Sequence, residues 1–327
     1  MLQTAFTQLV GCKAPIQLAP MGVLNTPQLV AAVTEAGGMG MVGLPGAPAR
    51  AVIDALEACG AHAKGPFGFN VLVPFLDLEV VEAAAARCRC VDFYHGAVDG
   101  SLVERVHAAG ALAAWQVGAT DQARAAVDAG CDFLVVRGTE GGGRMYGSRG
   151  LWPMLFEVLS AVDIPVLATG GIADGRGLAA ALAAGAAGVR LGTRFVATPE
   201  SNAHQSYKDA IVAETETVLT DAFKTGWPDE VTRSRVLRRA YERAAALPDN
   251  AAVARMKIGP DTEEVPRFGF PPPTATASGD VTAMAMYAGE SAALITSVEP
   301  AGEIVTQIAR QAEELLRSAT PDRHVRS

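Results

Sequence analysis

Two short turns, Thr169-Gly170-Gly171 and Gly192-Thr193, each close an apolar run, Val166–Thr169 and Gly188–Leu191. A strand end without bulky side chains leaves backbone N–H groups uncovered, and such amides hold a phosphate without any lysine. Asn70, His95, Gln116 and Arg137 fall at or just inside the ends of four other apolar runs. Should those runs be neighbouring strands, one mouth gathers an amide donor, an imidazole and a guanidinium beside the phosphate cradle. The glycine run Glu140-Gly141-Gly142-Gly143 follows the sixth run and ends in Arg144.

The elements that would place these residues are legible from punctuation. Phe133–Arg137, Val166–Thr169 and Gly188–Leu191 are short and largely apolar, as expected of parallel strands buried on both faces. Ala36-Gly37, Ala109-Gly110, Ala129-Gly130 and Ala184-Gly185 each end an alanine-rich stretch where a left-handed glycine would terminate a helix. Filling the gaps predicts further strands at Ile16–Ala19, Met39–Gly43, Phe67–Val71, Val91–His95 and Leu112–Val117. Helical patterns fit between most of them, at Thr26–Ala36, Ala49–Cys59, Val80–Ala86, Ser101–Ala109, Asp121–Ala129, Trp152–Ala161 and Gly175–Ala184. The alternation predicts an α/β chain folded as a (β/α)8 TIM barrel, with active-site residues after the strands and a phosphate after the seventh and eighth. A doubly wound sheet is the weaker alternative. Gly38–Gly43 matches G-x-G-x-x-G, but it runs along a strand and does not lead into a helix, so it fails as a dinucleotide fingerprint.

After Phe195 the alternation stops. Glu200–Leu219 reads as one helix, Arg233–Leu247 as a basic amphipathic helix, and Pro248–Asp280 as a lobe rich in proline, glycine and polar residues. Glu299–Arg317 returns to helical spacing, with Ile304, Ile308, Ala312 and Leu315 on one face, and would complete the barrel's outer ring. The expected division is a barrel over 1–206, an inserted lid over 207–287 and a return to the barrel over 288–327, with a frayed tail.

Half of the 327 residues are hydrophobic, enough for a large core, and the formal charge of −8 argues against nucleic acid or an anionic membrane as partner. The 5 cysteines are odd in number and no leader-like segment opens the chain, which points to the cytoplasm. Cys88-x-Cys90 lacks a second ligand pair at metal spacing and reads as a reduced pair, with no metal expected.

Several ordered motifs together resemble the nitronate monooxygenase family, which shares its shape with the flavin-dependent enoyl-acyl-carrier-protein reductases. They are Ala14–Met21, Phe67-Gly68-Phe69-Asn70, Glu140–Gly143, Ala168–Gly177 and Leu191–Phe195. The resemblance implies an FMN-binding barrel covered by a partly helical second domain. It implies that Pro20, Met21 and Gly22 line the flavin ring, that Asn70 bonds the ring or ribityl chain, and that Gln116 and Arg137 contact the flavin. Gly142, Gly143, Gly170, Gly171, Gly192 and Thr193 would serve the phosphate side, and Arg137 would stabilise negative charge at the ring's N1–O2 edge or at the phosphate.

The family's glycine run usually ends in a histidine that handles a substrate proton, and here that position is Arg144. A guanidinium stays protonated, so it is a poor base and a strong anion clamp. His95 is the histidine placed to replace the base, unless it serves packing. The expected activity is FMN-dependent oxidation of a small anionic substrate such as a nitronate by O2. The alternatives are a reductase or dehydrogenase of enoyl thioesters, with NAD(P)H or a CoA or carrier-protein partner, and a flavin-binding protein with altered catalysis. A homodimer is left open.

Overall fold

The computed structural model describes residues 2–227, 233–258 and 261–319; the expected frayed tail lies largely outside them. The chain opens with helix α1 (Ala5–Val10), which is followed by β1 (Ile16–Leu18), α2 (Pro27–Glu35), β2 (Gly40–Gly43), α3 (Ala49–His62), β3 (Phe67–Leu72) and α4 (Leu78–Ala85). Then come β4 (Cys90–Tyr94), α5 (Gly100–Ala108), β5 (Leu112–Val117), α6 (Thr120–Asp128) and β6 (Phe133–Arg137). A two-residue strand, β7 (Gly143–Arg144), interrupts the pattern before α7 (Leu151–Leu159), β8 (Val166–Thr169), α8 (Gly175–Ala183), β9 (Gly188–Leu191) and the one-turn α9 (Thr193–Val196).

Eight of these strands form one parallel sheet in the order β1-β9-β8-β6-β5-β4-β3-β2. A parallel bridge between Gln17 and Met39 joins its two ends, with Leu18 N donating to Met39 O at 2.9 Å. The fold is a TIM barrel, and its strands are those expected, give or take a residue at their ends. Glycines end the predicted helices in left-handed backbone, with φ of 94° at Gly37 and 104° at Gly185. Caps fix the helix starts: Thr26 Oγ1 accepts from Leu29 N at 3.0 Å ahead of Pro27.

The strands carry a period-two division that their apolar appearance conceals. Leu134, Val136, Val91, Phe93, Val189 and Leu191 pack outward against the helices, in one large core. Phe133, Val135, Cys90, Met39, Met41 and Leu167 form a separate core inside the barrel. Helix α1 plugs that interior at its N-terminal end with Phe6 and Val10. This plug was not anticipated.

Past Phe195 two expected helices are corrected. The helix expected over Glu200–Leu219 is α10 (Gln205–Ala213) followed by strand β10 (Thr217–Thr220), where Thr217 and Val218 are β-branched and favour extended backbone. The basic helix expected from Arg233 begins as strand β11 (Ser234–Leu237) and becomes helical only at α11 (Arg238–Ala245). β11 lies between β10 and β7, so the barrel's own glycine run contributes a strand to the second sheet. The expected boundary at residue 206 therefore falls inside α10. β12 (Ala252–Ile258), β13 (Asp261–Pro266) and β14 (Ser278–Gly279) make a third, antiparallel sheet. The closing helix α12 (Ala301–Ala319) packs against α8 and α2 with Ile304, Ile308 and Ala312 buried. Leu315, expected on the same face, is exposed. Among the described residues no helix is long and apolar enough to cross a membrane.

Candidate active site

At the C-terminal mouth of the barrel lies a cavity of about 550 Å³, roofed by the second domain. All of the sequence-predicted residues line it: Pro20, Met21, Gly22, Asn70, His95, Gln116, Arg137, Gly142, Gly143, Arg144, Gly170, Gly171, Gly192 and Thr193. Sequence reasoning passed over Arg190, Trp227, Phe270 and Tyr287, which line it too.

The floor is a polar layer resting on the apolar barrel interior. Arg190 donates from Nε to Gln17 Oε1 at 2.8 Å and from Nη1 to Gln116 Oε1 at 2.9 Å. The same Nη1 lies 2.8 Å from Asp92 Oδ2, which also accepts from Asn70 Nδ2 at 3.0 Å. These contacts run between β9, β1, β5, β4 and β3, so they cross the barrel and fix the rotamers of Asn70 and Gln116 from below. Both charged groups are almost wholly buried, and burial pushes the Asp92 carboxyl up while the adjoining guanidinium pulls it back. Single polar residues at alternate positions of otherwise apolar strands were the available signal for Gln17, Asp92 and Arg190.

One side of the cavity is built from glycine. Gly170 and Gly171 have φ of 116° and 71°, conformations that L side chains rarely adopt. Among the described residues the N–H groups of Gly170, Gly171 and Gly192 donate to no protein acceptor. Gly142 is confined, since a Cβ there would stand 2.5 Å from Gly289 N, and its carbonyl accepts from Arg137 Nη2. Thr193 Oγ1 accepts from Gly289 N at 2.9 Å, tying the same rim to the chain that returns from the second domain. Free amides at neighbouring strand ends, with no side chain over them, fit a phosphate monoester.

The roof and far wall are aromatic. Arg144 is buried and lies 4.2 Å from the ring centroid of Trp227. Its Nη2 donates to Phe223 O and it hydrogen-bonds Tyr287, whose hydroxyl donates to Phe270 O at 2.7 Å. The guanidinium thus pins the second domain to the barrel's glycine run while facing the cavity. His95 sits at φ 64°, its ring centroid 3.7 Å from that of Tyr94 and the two rings tilted by 36°. Burial, then Arg137 and Arg144, drives its pKa far below 6.5, so the imidazole is neutral and a weak proton acceptor. The basic helix is not a free cationic face: Arg238 pairs with Glu216 at 2.7 Å and Arg243 with Asp280 at 2.8 Å.

A family model described as nitronate monooxygenase matches residues 3–90 and 76–311 of the chain. The chain belongs to the nitronate monooxygenase family. That family is one of flavin-dependent oxidoreductases. Among its relatives is a (3aS,4S,5R,7aS)-5-hydroxy-7a-methyl-1-oxo-octahydro-1H-indene-4-carboxyl-CoA dehydrogenase of Rhodococcus jostii, 38% identical over 65% of this chain and 60% of the relative's length. A probable nitronate monooxygenase of Staphylococcus aureus is 28% identical over 95% of this chain and 98% of its own. The structure of FabK from Thermotoga maritima superposes with a TM-score of 0.79 at 27% identity, covering 98% of this chain and 99% of that one.

Proposed function

We propose that this nitronate monooxygenase family member binds FMN in the cavity and oxidises an anionic carbon acid, a nitronate in the simplest case, with O2 as final electron acceptor. The observation that carries this reading is the charge of the wall. Arg137, Arg144, Arg190 and Lys257 line the cavity, and the described lining contains no aspartate or glutamate. Its one histidine is held neutral and is a feeble base. Such a site suits a substrate that arrives already deprotonated, because it attracts the anion and need not remove a proton.

Bound FMN would supply a two-electron acceptor that O2 reoxidises. The chain's own groups do the rest. The free amides of Gly170, Gly171 and Gly192 would take the phosphate, and Asn70 and Gln116, held from beneath, would meet the ring or ribityl hydroxyls. Pro20, Met21 and Gly22 would lie along the ring. Arg144, backed by Trp227, would orient the anion, and the aromatic roof would exclude water.

A second reading is favoured by Lys257. It lines the cavity from strand β12, is itself exposed, and has no ion-pair partner among the described residues. A lysine at the mouth suits the phosphates of a CoA-type thioester, and the Rhodococcus jostii relative is named for a carboxyl-CoA substrate. The two readings separate in one experiment. Oxygen uptake with propionate 3-nitronate in the absence of NAD(P)H is expected. Reduction of the bound flavin by NAD(P)H or an acyl-CoA, with no nitronate-dependent uptake, would overturn the first reading for the second.

A further inference from the structure

The floor of the cavity holds a positive charge that neither the glycine rim nor the substrate wall accounts for. Arg190 is 2% exposed, yet it reaches the cavity. Its Nε and Nη1 are satisfied by Gln17, Gln116 and Asp92, whereas Nη2 is buried without an acceptor among the described residues. A charged donor buried in this way is costly to keep, and one at the edge of a cavity is explained by a ligand atom that completes it.

Arg137, to which the family resemblance gives the charge-stabilising role at the ring edge or at the phosphate, is half-buried and engaged elsewhere. Its Nη2 is spent on Gly142 O in the glycine run, its guanidinium lies 5.6 Å from the ring centroid of Tyr94, and its Nε, like Arg190 Nη2, is buried without an acceptor among the described residues. Arg190, in register with Arg137 through Thr169, is the more deeply buried of the two, on the last barrel strand, two residues before the Gly192 amide. That amide, Arg190, Gln116 and Asn70 line one cavity, so a flavin whose phosphate was held there would have this layer within the same space.

We propose that Arg190, not Arg137, is the cationic donor to the electron-rich pyrimidine edge of the flavin, and that its buried partner Asp92 sets how much of that charge the ring feels. The proposal rests on the flavin reading given above and adds to it a pair that tunes the cofactor. Two-electron reduction places negative charge on the N1–C2=O edge, so a guanidinium beneath it favours the reduced form. A carboxylate 2.8 Å from that guanidinium opposes the effect. Gln17, Gln116 and Asn70 are the neutral groups that hold the pair in register, with Gln17 Nε2 itself seated on the sulfurs of Met39 and Met41 at 3.3 and 3.4 Å.

The pair could instead be a structural staple across the barrel. The two roles differ in what neutralising each partner does to the cofactor. In a staple, both substitutions loosen the same layer and disturb the flavin in the same sense. In a tuning pair, they act with opposite signs.

The test is the midpoint potential of the FMN-loaded protein, measured by reductive titration against reference dyes, for wild type, Asp92→Asn, Arg190→Gln and Arg190→Lys. Asp92→Asn keeps the size of the side chain and is expected to favour reduction by about tenfold or more, about 30 mV upward for a two-electron couple. Arg190→Gln is expected to move it at least as far downward, and Arg190→Lys, which keeps the charge, to recover part of the loss. Potentials that stay put, or that move in the same direction in Asp92→Asn and Arg190→Gln, would overturn the proposal. Should Arg190→Gln not fold, the sign of the Asp92→Asn shift alone decides. A wild-type protein that takes up no FMN would remove the flavin reading and this pair's role with it; a loaded protein with unmoved potentials would remove only the latter.

Discussion

Replacing Gly192 with valine separates the phosphate rim from the fold more cleanly than any other glycine change here. Its φ is −112° and ψ −74°, a backbone that L residues accept, and a Cβ would meet only Ala19 Cβ at 3.4 Å and Met21 Sδ at 3.8 Å. The fold therefore tolerates Gly192→Val, with an expected change in stability of about 1 kcal/mol or less. Ala19 and Met21 themselves line the cavity, so the added methyls stand on its wall beside the free amide. A hydrogen bond from an amide to a charged oxygen contributes about 1.5–3 kcal/mol. Displacing the phosphate from one or two such donors should cost about 3 kcal/mol, or a roughly hundredfold rise in Kd for FMN. The assay is quenching of FMN fluorescence on titration with apoprotein, run beside riboflavin, which lacks the phosphate. Wild type should prefer FMN strongly, and Gly192→Val should lose most of that preference while its apoprotein Tm stays within about 3 °C of wild type. An unchanged preference for FMN in a folded variant would refute the assignment of this rim to phosphate.

Three further outcomes follow from the geometry. Arg144→Met removes the partners of Phe223 O and of the Tyr287 hydroxyl, so thermal unfolding should show a loss of about 2–3 kcal/mol; substrate affinity should fall more than FMN content, and loss of flavin with unchanged substrate affinity would reverse the role given to Arg144. Burial and two guanidiniums hold the His95 pKa well below 6.5 in the folded protein, so below pH 6.5 the unfolded chain binds a proton that the native one refuses. Stability should therefore fall as pH drops beneath 6.5 and show no His95 contribution above it; His95→Asn, which accepts the φ of 64°, should flatten that slope in urea titrations at pH 5 and pH 8. In Gly175→Val a Cβ would stand 2.5 Å from Gln311 Cβ and 2.7 Å from Ala312 N, so α12 should be displaced from α8 and thermal unfolding should lose several kcal/mol, about 3 or more. A Tm equal to wild type would mean that α12 does not complete the outer ring as described.

The barrel was legible because its signals are local. Left-handed glycines after helices and uninterrupted apolar runs depend on the chain within a turn or two of themselves, and Gly37, Gly110, Gly130 and Gly185 all have positive φ. The mouth was legible for the same reason, since a barrel sends the end of every strand to one face. The second domain was harder. Thr217–Thr220 and Ser234–Leu237 are strands because they pair with each other and with Gly143–Arg144, some ninety residues away, a contact that no local pattern announces. Arg235 shows the cost of reading charge locally. Counted with a basic helix, it is a strand residue that donates from Nε to Thr139 O at 2.8 Å and anchors the second sheet to the barrel.

Half of the interior polar layer, Gln17, Asp92 and Arg190, was missed for a different reason. In a buried parallel strand both faces are covered, so the period of two is hidden when both are apolar. It reappears only where one face turns polar, at Gln17, Asn70, Asp92, Gln116, Thr169 and Arg190, each the inward member of its strand near the mouth. Those six positions mark where the barrel stops being a core and becomes a floor. The same change of character accounts for the charge of the site. A chain with net charge −8 repels anions at its surface, while its cavity is lined by three arginines and a lysine and, among the described residues, no carboxylate. Arg190 has its counter-ion within the barrel, at Asp92. Arg137, Arg144 and Lys257 line the space where an anionic substrate would sit, in surroundings that salt screens poorly. An anion there gains more than it could at the surface, and the protein needs no base to hold it.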